Sequence, residues 1–359
     1  TMLLGSLVLG APVAEAVDGS GTNTVAPTTA VVSDTGQTFT FTFTATEQMD
    51  SGTIQLTVPA GWSAPQGTSG TAGYTISSAG AGAATADPAS ELTMEATTGW
   101  LEEQTDSCNA GSQLSLDNAV FKQGANSIKC DNTGSTLPDS GDAFGYAYGA
   151  NQDWSAYTTF GVWFQSSAAI SATGQLAIKF YTDAALTTQA TGGSFDVYTL
   201  NGSATLTAGT WYFLSGSLTG VTRNAIRGWG VESLVNGGGL DSKVIYLDDF
   251  LLGPGAPTFS GTGPWNITQR LLDLDNTETI TITYGSGGGT SGVTVPGTAA
   301  TYTFTTASQI SANGTLTNIA TSPTVTVSDK ITIGTTGTQA ANLDANSTGQ
   351  FVGGAWTLV

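Results

Sequence analysis

Residues 38 to 44 read TFTFTFT, and residues 279 to 284 read TITITY. Strict alternation of this kind puts every Phe or Ile on one side of an extended chain and every Thr on the other, whereas a helix would scatter the same residues around its axis. Segments of this type far apart in the chain predict half-buried sheets, with Phe39, Phe41, Phe43, Ile280, Ile282 and Tyr284 in a core. The same spacing recurs at Ile54, Leu56 and Val58, which precede the turn Pro59-Ala60-Gly61-Trp62. It recurs again at Val293 and Val295 before Pro296, at Tyr302 and Phe304, and at Val325 and Val327. Composition points the same way: 48 glycines and only 10% charged residues leave little material for long amphipathic helices. A length of 359 residues suits two domains better than one.

Several partners and mechanisms are excluded by charge and by one missing residue type. The formal net charge is −19 with eight Lys plus Arg, so nucleic acid and anionic membrane surfaces are repelled. The chain has no His, which removes Ser-His-Asp and Cys-His catalysis and imidazole metal ligands. A glycosidase would need two carboxylates across a cleft. Asp248-Asp249, Glu102-Glu103, Asp273 and Asp275 are candidates by type, but adjacent carboxylates at strand ends read as a solvated rim, and the chain is expected not to be an enzyme.

Cys108 and Cys130 stand outside any metal-ligand spacing; they read as one disulfide, with two unrelated buried thiols as the alternative. N-x-S/T triplets at Asn201, Asn266, Asn313 and Asn346 fit an exported, extracellular or cell-surface glycoprotein.

Residues 2 to 14 (MLLGSLVLGAPVA) are apolar and uncharged, and Ala14-Glu15-Ala16 matches a signal-peptide cleavage site. Against cleavage, no basic region precedes the run; it is also shorter than the ~20 residues of a membrane helix. Gly5, Gly10 and Pro12 disfavour a helix, so no membrane span is expected. Read as a strand, it aligns Leu3, Leu7, Leu9 and Val13 on one face. Burying these four would contribute about 6 to 12 kcal/mol before ordering costs. Three readings stay open: a strand donated to a neighbouring subunit, an uncleaved signal sequence, and a strand folded into its own domain. Residues 331 to 359 read as short strands around Ile331, Ile333 and Phe351 to Leu358 that stop before a sandwich is complete, leaving an edge for such a strand.

The segments GTIQLTVPAGWSAP, ETITITYG, GVTVPG and YTFTT resemble the immunoglobulin-like sandwich repeats of bacterial and archaeal surface and filament proteins. Residues 91 to 255 interrupt that pattern between Ala86-Asp87-Pro88 and Gly253-Pro254-Gly255-Ala256-Pro257. Within them DWSAYTTFGVWFQSS, LAIKFYTD, GTWYFLSGSL, IRGWGVES and VIYLDDFLLG resemble the jelly-roll family of carbohydrate-binding modules. The resemblance implies a structural calcium held by Glu95, the Lys122 carbonyl and Asp248, against the alternative that Glu95 is merely exposed and Asp248 caps a strand. It also implies sugar binding on outward aromatic faces. By alternation these are Trp163 and Tyr181, with Lys179 and Gln165 beside them, while Trp211 and Trp229 fit core positions.

The expected fold is therefore all-β. Residues 1–16 form a donor strand, 17–90 and 256–330 the two halves of an immunoglobulin-like sandwich, 91–255 an inserted jelly roll, and 331–359 C-terminal strands. The expected function is a structural subunit of a pilus-like extracellular filament, joined head to tail to identical subunits through the N-terminal strand. The alternatives are a carbohydrate-binding adhesin that is not polymeric and an accessory domain of a polysaccharide-degrading enzyme.

Overall fold

The computed structural model describes residues 17–103, 107–108, 114–134 and 138–330. The N-terminal strand with Leu3, Leu7, Leu9 and Val13, the sequon at Asn346 and the C-terminal strands lie outside these residues.

The first part of the host sandwich runs β1 (Thr22–Ala26), β2 (Thr29–Val31), β3 (Phe39–Thr44), β4 (Met49–Asp50), β5 (Thr53–Val58), β6 (Thr75–Ala79) and β7 (Ala84–Thr85). The insert follows with β8 (Trp100–Glu102), β9 (Leu114–Asp117), β10 (Ser127–Asp131), β11 (Ala143–Gln152), β12 (Thr159–Ser166), β13 (Leu176–Tyr181), β14 (Gln189–Asp196), a one-turn helix α1 (Val197–Leu200), β15 (Trp211–Ser217), β16 (Ile226–Ser233) and β17 (Val244–Gly253). The chain then returns to the host through β18 (Thr258–Gly261), β19 (Trp265–Leu274), β20 (Thr279–Tyr284), β21 (Ala300–Thr303), β22 (Thr305–Gln309), β23 (Thr317–Asn318) and β24 (Thr324–Ser328).

Both halves of the host share their sheets. One sheet has the order β1-β3-β20-β6, and β20 pairs with β3 along its whole length, Tyr284 opposite Phe39 and Thr279 opposite Thr44. The facing sheet has the order β18-β19-β5-β22-β23, with β4 and β7 added beside β19. The alternation does what the sequence predicts: Phe39, Phe41, Phe43, Ile280, Ile282 and Tyr284 are 0–3% exposed, while the intervening threonines stay outside. Trp62 closes this core edge-on against Phe39 and Phe304, with ring centroids 5.1 Å away in each case. A third sheet, β2-β24-β21, adds Val325 and Val327 to the same core.

Two expected strands differ. Val293 and Val295 are buried, but their segment makes only an isolated bridge, Gln37 to Val293, and Pro296 has no N–H with which to continue a ladder. Tyr302 and Phe304 belong to no single strand: β21 ends at Thr303 and β22 starts at Thr305 in a different sheet, with fully buried Phe304 at the switch.

The insert is a second sandwich, of sheets β15-β12-β17-β10-β9 and β14-β13-β16-β11-β8. Its core holds Phe160, Phe164, Phe180, Trp229, Val231, Leu247 and Phe250, and Trp229 stacks on Phe250 at 4.2 Å. The disulfide Cys108–Cys130 forms at the edge of this core, the thiol alternative being excluded.

Insert and host are joined by more than their two connections. Leu251 of β17 packs with Leu272 of β19, Ala86 and Phe213. At Gly161 a Cβ would lie 2.4 Å from the Phe213 ring and 3.1 Å from Leu272, so a larger residue there would have to displace side chains packed where the sheet meets the host. The connections are themselves paired: the Asp87 amide donates to the Leu252 carbonyl, and Leu92 bridges Phe250.

Candidate functional site

The sheet that docks on the host carries most of the functional-type residues, and register decides where they go. Between Gly161 and Trp163 the pairing of β12 with β17 shifts by a bulge. Asp249 there adopts a positive φ of 42°, so two consecutive carboxylates, Asp248 and Asp249, leave the strand on the outer side. Asp249 Oδ2 accepts from Ser51 Oγ of the host at 2.6 Å and lies 3.6 Å from Arg270, which also pairs with Glu91 at 3.3 Å. Burial raises the Asp249 carboxyl and Glu91 pushes the same way, against Ser51 and Arg270. Nearby, Asp50 and Asp273 stand directly opposite each other across β4 and β19. Asp50 is raised to about 7 by burial and by Asp273, and Asp273 to about 6 by burial with Asp275 and Glu278. These carboxylates sit at the junction of the two sandwiches rather than on a solvated rim.

Asp248 turns to the loop before β10. Its Oδ2 accepts the amides of Lys122 and Gln123, both at 2.7 Å, and Glu95 holds the same loop through the Ala125 amide and the Asn126 side chain, both at 2.8 Å. The structure thus brings Glu95, Lys122 and Asp248 around one loop, as the resemblance implies. Lys122, however, presents its amide to Asp248. Burial and then the Glu95 charge raise Asp248 to about 7 in spite of the three amides it accepts. Hard oxygen donors around the buried Asp248, with the Glu95 charge beside it, suit a calcium ion, which would relieve that repulsion. Among the described residues no group of three or more acidic, Cys or His side chains is gathered for a metal, so main-chain oxygens would have to complete the shell.

The four sugar-binding residues do not form one site. Trp163 and Gln165 leave the docking sheet, whereas Lys179 and Tyr181 leave the opposite sheet, on the other side of the sandwich. Trp163 faces outward as the alternation predicts, but it is 5% exposed, packed on Phe213 and covered by the Lys122 ammonium 4.3 Å from its ring. Tyr181 is 1% exposed beneath Leu186. Its hydroxyl donates to Glu232 Oε2 at 3.1 Å, Lys179 pairs with Glu232 Oε1, and burial with the Glu232 charge raises the phenol. The turn that brings Leu186 over it is fixed by Asp183, which accepts from Ala185, Thr187 and Thr188. Burial pushes Asp183 upward, but those hydrogen bonds hold it at about 2. Neither ring offers a free face, so the expected platform is corrected at both positions.

A different pair is available. On the docking sheet, beyond the part covered by the host, Gln165 lies opposite Trp211 on one side and Tyr246 on the other, and Tyr246 lies opposite Lys129. Residues opposite one another share a face, so Trp211, Gln165, Tyr246 and Lys129 form one row across four strands. Trp211 and Tyr246 lean together, centroids 6.4 Å apart, and remain partly exposed while Gln165 beneath them is 7% exposed and donates to the Gly209 carbonyl. Trp211 is thus no core residue, in contrast to Trp229. The signal was present in GTWYFLSGS, where Tyr212 and Leu214 turn inward and Trp211 and Phe213 turn outward.

Of the sequons, Asn313 lies in an exposed turn and Asn201 follows α1 with its amide on the Ala204 carbonyl. Asn266 lies within β19 and accepts from Thr57 at 2.8 Å. No helix among the described residues is long and apolar enough to cross a membrane.

No protein-family model matches the chain, and no curated protein matches it. Among solved structures it is similar to the CBM22-1–GH10 modules of endo-1,4-beta-D-xylanase 10B from Clostridium thermocellum complexed with xylohexaose, at 13% identity and TM-score 0.30 over 46% of this chain and 28% of that one. It is also similar to beta-1,2-glucanase from Parabacteroides distasonis, at 11% identity and TM-score 0.30 over 75% of this chain and 39% of that one. An agarase, AgWH50C, aligns at 14% identity and TM-score 0.24 over 46% of this chain and 25% of that one. The chain spans well under half the length of each, and the functional reading rests on the geometry.

Proposed function

We propose that the chain is an extracellular, non-catalytic surface protein whose inserted jelly roll binds carbohydrate and whose host sandwich holds that domain rigidly. The row Trp211, Gln165, Tyr246 and Lys129 carries the reading. Two tilted aromatic faces, with the ion pair of Lys129 and Asp131 at the end of the row, match the apolar faces and hydroxyls of a sugar chain. The roles of the junction carboxylates support a non-catalytic reading: Asp248 ties a loop, Asp249 ties the host, and Asp273 accepts from Ser215 at 3.3 Å. A glycan array with the whole chain should give hits that Trp211→Ala removes. An array without hits, or hits indifferent to Trp211→Ala and Tyr246→Ala, would leave the jelly roll a spacer.

Calcium belongs to this reading as a structural ion at Glu95 and Asp248, with the Lys122 carbonyl as the main-chain ligand. A chelator should lower the melting temperature, and no shift on calcium removal would reject the site.

The second reading is a filament subunit joined to identical copies by the N-terminal strand. It is favoured by an asymmetry of the host: one lateral side is tied across its sheets by Asn23 to Thr306 and Ser308 to Ser20, whereas on the other, where the sheets end in β6 and β18, Ser77, which donates to Gln269, lines a groove between them. Negative-stain microscopy of native material separates the two, showing regular fibres in this case and isolated particles for an adhesin.

A further inference from the structure

We infer that the outer edge of β6 is the acceptor for residues 2 to 14 of another copy of this chain. The inference rests on the strand-donation reading above and names the site that reading lacks.

β6 pairs with β20 on one side; on the other, the Thr75 amide donates to the Gln66 carbonyl at the start of the strand, and from Ile76 to Ala79 no described strand pairs with it. An exposed edge is a template for further pairing, which proteins normally blunt with a charge, a proline or a bulge. The sequence of β6, TISSA, has none of these, and its Ile76 is 38% exposed. None of the strands β1, β3, β20 and β6 contains a charged residue, in a molecule of net charge −19. Beside the edge, across from β18, lies a groove of about 340 Å³ lined by Tyr74, Ile76, Pro254, Pro257 and Phe259. The edge offers main-chain hydrogen bonds and the groove offers apolar walls, the two elements of recognition by strand addition.

The occupant follows from charge and pattern. Residues 2 to 14 carry no charge and align Leu3, Leu7, Leu9 and Val13 on one face, matching an uncharged edge with an apolar groove beside it. The donor is another molecule because of where the segment joins the body. The Val17 amide is held by Glu47 at 2.5 Å on the β1 side, and β6 is the opposite edge of that sheet. At that end the chain also leaves β6 for β7 and the insert. A neighbour presents the segment to the groove without passing that connection.

The test uses full-length chains and single cysteines in separate preparations, since Cys108 and Cys130 are already bonded to each other. Val8→Cys in one preparation, on the solvent face of the donated strand, should cross-link, on mild oxidation, with Ser78→Cys in the other to a species of two-chain mass. Thr24→Cys, on the opposite edge strand, should give none. Deleting residues 1 to 16 should abolish assembly. If deletion abolishes assembly but Ser78→Cys fails to cross-link, or Thr24→Cys does so instead, the acceptor is wrong and donation stands. Assembly unchanged by the deletion, or a wild-type chain that stays monomeric, overturns donation itself. A bond formed within one molecule of a Val8→Cys and Ser78→Cys double variant shows the strand in its own groove and also overturns the inference.

Discussion

The two outer faces of the insert started from the same pattern and ended in different states. On the β14-β13-β16-β11-β8 sheet, Tyr181 and Lys179 point outward and are sealed by Leu186 and Glu232. On the β15-β12-β17-β10-β9 sheet, the half with Gly161, Leu251 and Asp249 is covered by the host, and the half with Trp211 and Tyr246 stays open. Alternation settles which side of a sheet a residue leaves; what lies above it settles whether anything can bind there.

The largest test acts on the covered half. Arg270 is the cation that faces both Asp249 and Glu91. Arg270→Ala would leave those carboxylates buried without their partner, and removing one member of a buried pair costs about 3 to 5 kcal/mol. Chemical denaturation should register a loss of that order, followed both by a host probe such as Trp62 and by the insert. A loss below about 1 kcal/mol would mean that the junction is solvated and the sandwiches are not rigidly joined.

On the open half the effect falls on binding instead. Trp211→Ala should weaken saccharide affinity at least about tenfold, the equivalent of roughly 1.4 kcal/mol, with a smaller change in stability because the ring is partly exposed. Calorimetric titration with a glycan found on the array measures this. Equal weakening by Trp163→Ala and Trp211→Ala would erase the distinction between the halves.

How much of this was legible follows from the same contrast. Phe39, Phe41, Phe43 and Ile280 to Tyr284 were readable because the residues that bury them lie in strands with equally strict alternation. The bridge between Cys108 and Cys130 was readable from their number and spacing, and the gathering of Glu95, Lys122 and Asp248 from a resemblance. Trp163 was misread because its cover, Lys122 from the loop before β10 and Phe213 from the neighbouring strand, is not placed by alternation. Tyr181 was misread because the turn between β13 and β14, pinned by Asp183, folds Leu186 over it. The bulge that sends both Asp248 and Asp249 outward breaks the period on which the reading relied.

Acidity should distinguish the covered half from the sealed face. Asp50 and Asp273 face each other, Asp275 and Glu278 add negative charge, and Lys122 opposes it at Asp50. Their carboxyls are raised to about 7 and about 6, above the usual 3.8, so the folded state favours the protonated forms. The stability they contribute is complete below the unfolded value and is lost as pH rises through the folded ones. Asp248 and Asp249 shift in the same direction. The melting temperature should therefore be higher at pH 5 than at pH 8, by about 2 to 4 °C for each kcal/mol involved. Asp50→Asn with Asp273→Asn should flatten the slope, and a melting temperature that falls on acidification would contradict the burial of these groups.

The smallest effect belongs to the sealed face. Tyr181→Phe removes one hydroxyl that donates to Glu232, while Lys179 still pairs with the same carboxylate. The ring keeps its place beneath Leu186, so no cavity opens, and the loss should stay near 1 kcal/mol, the net worth of one hydrogen bond. Saccharide affinity should not change, because no part of this side chain reaches the solvent side of Leu186. If Tyr181→Phe weakened binding as much as Trp211→Ala, the turn carrying Leu186 would have to open when sugar binds, and the sealed face would become the ligand site.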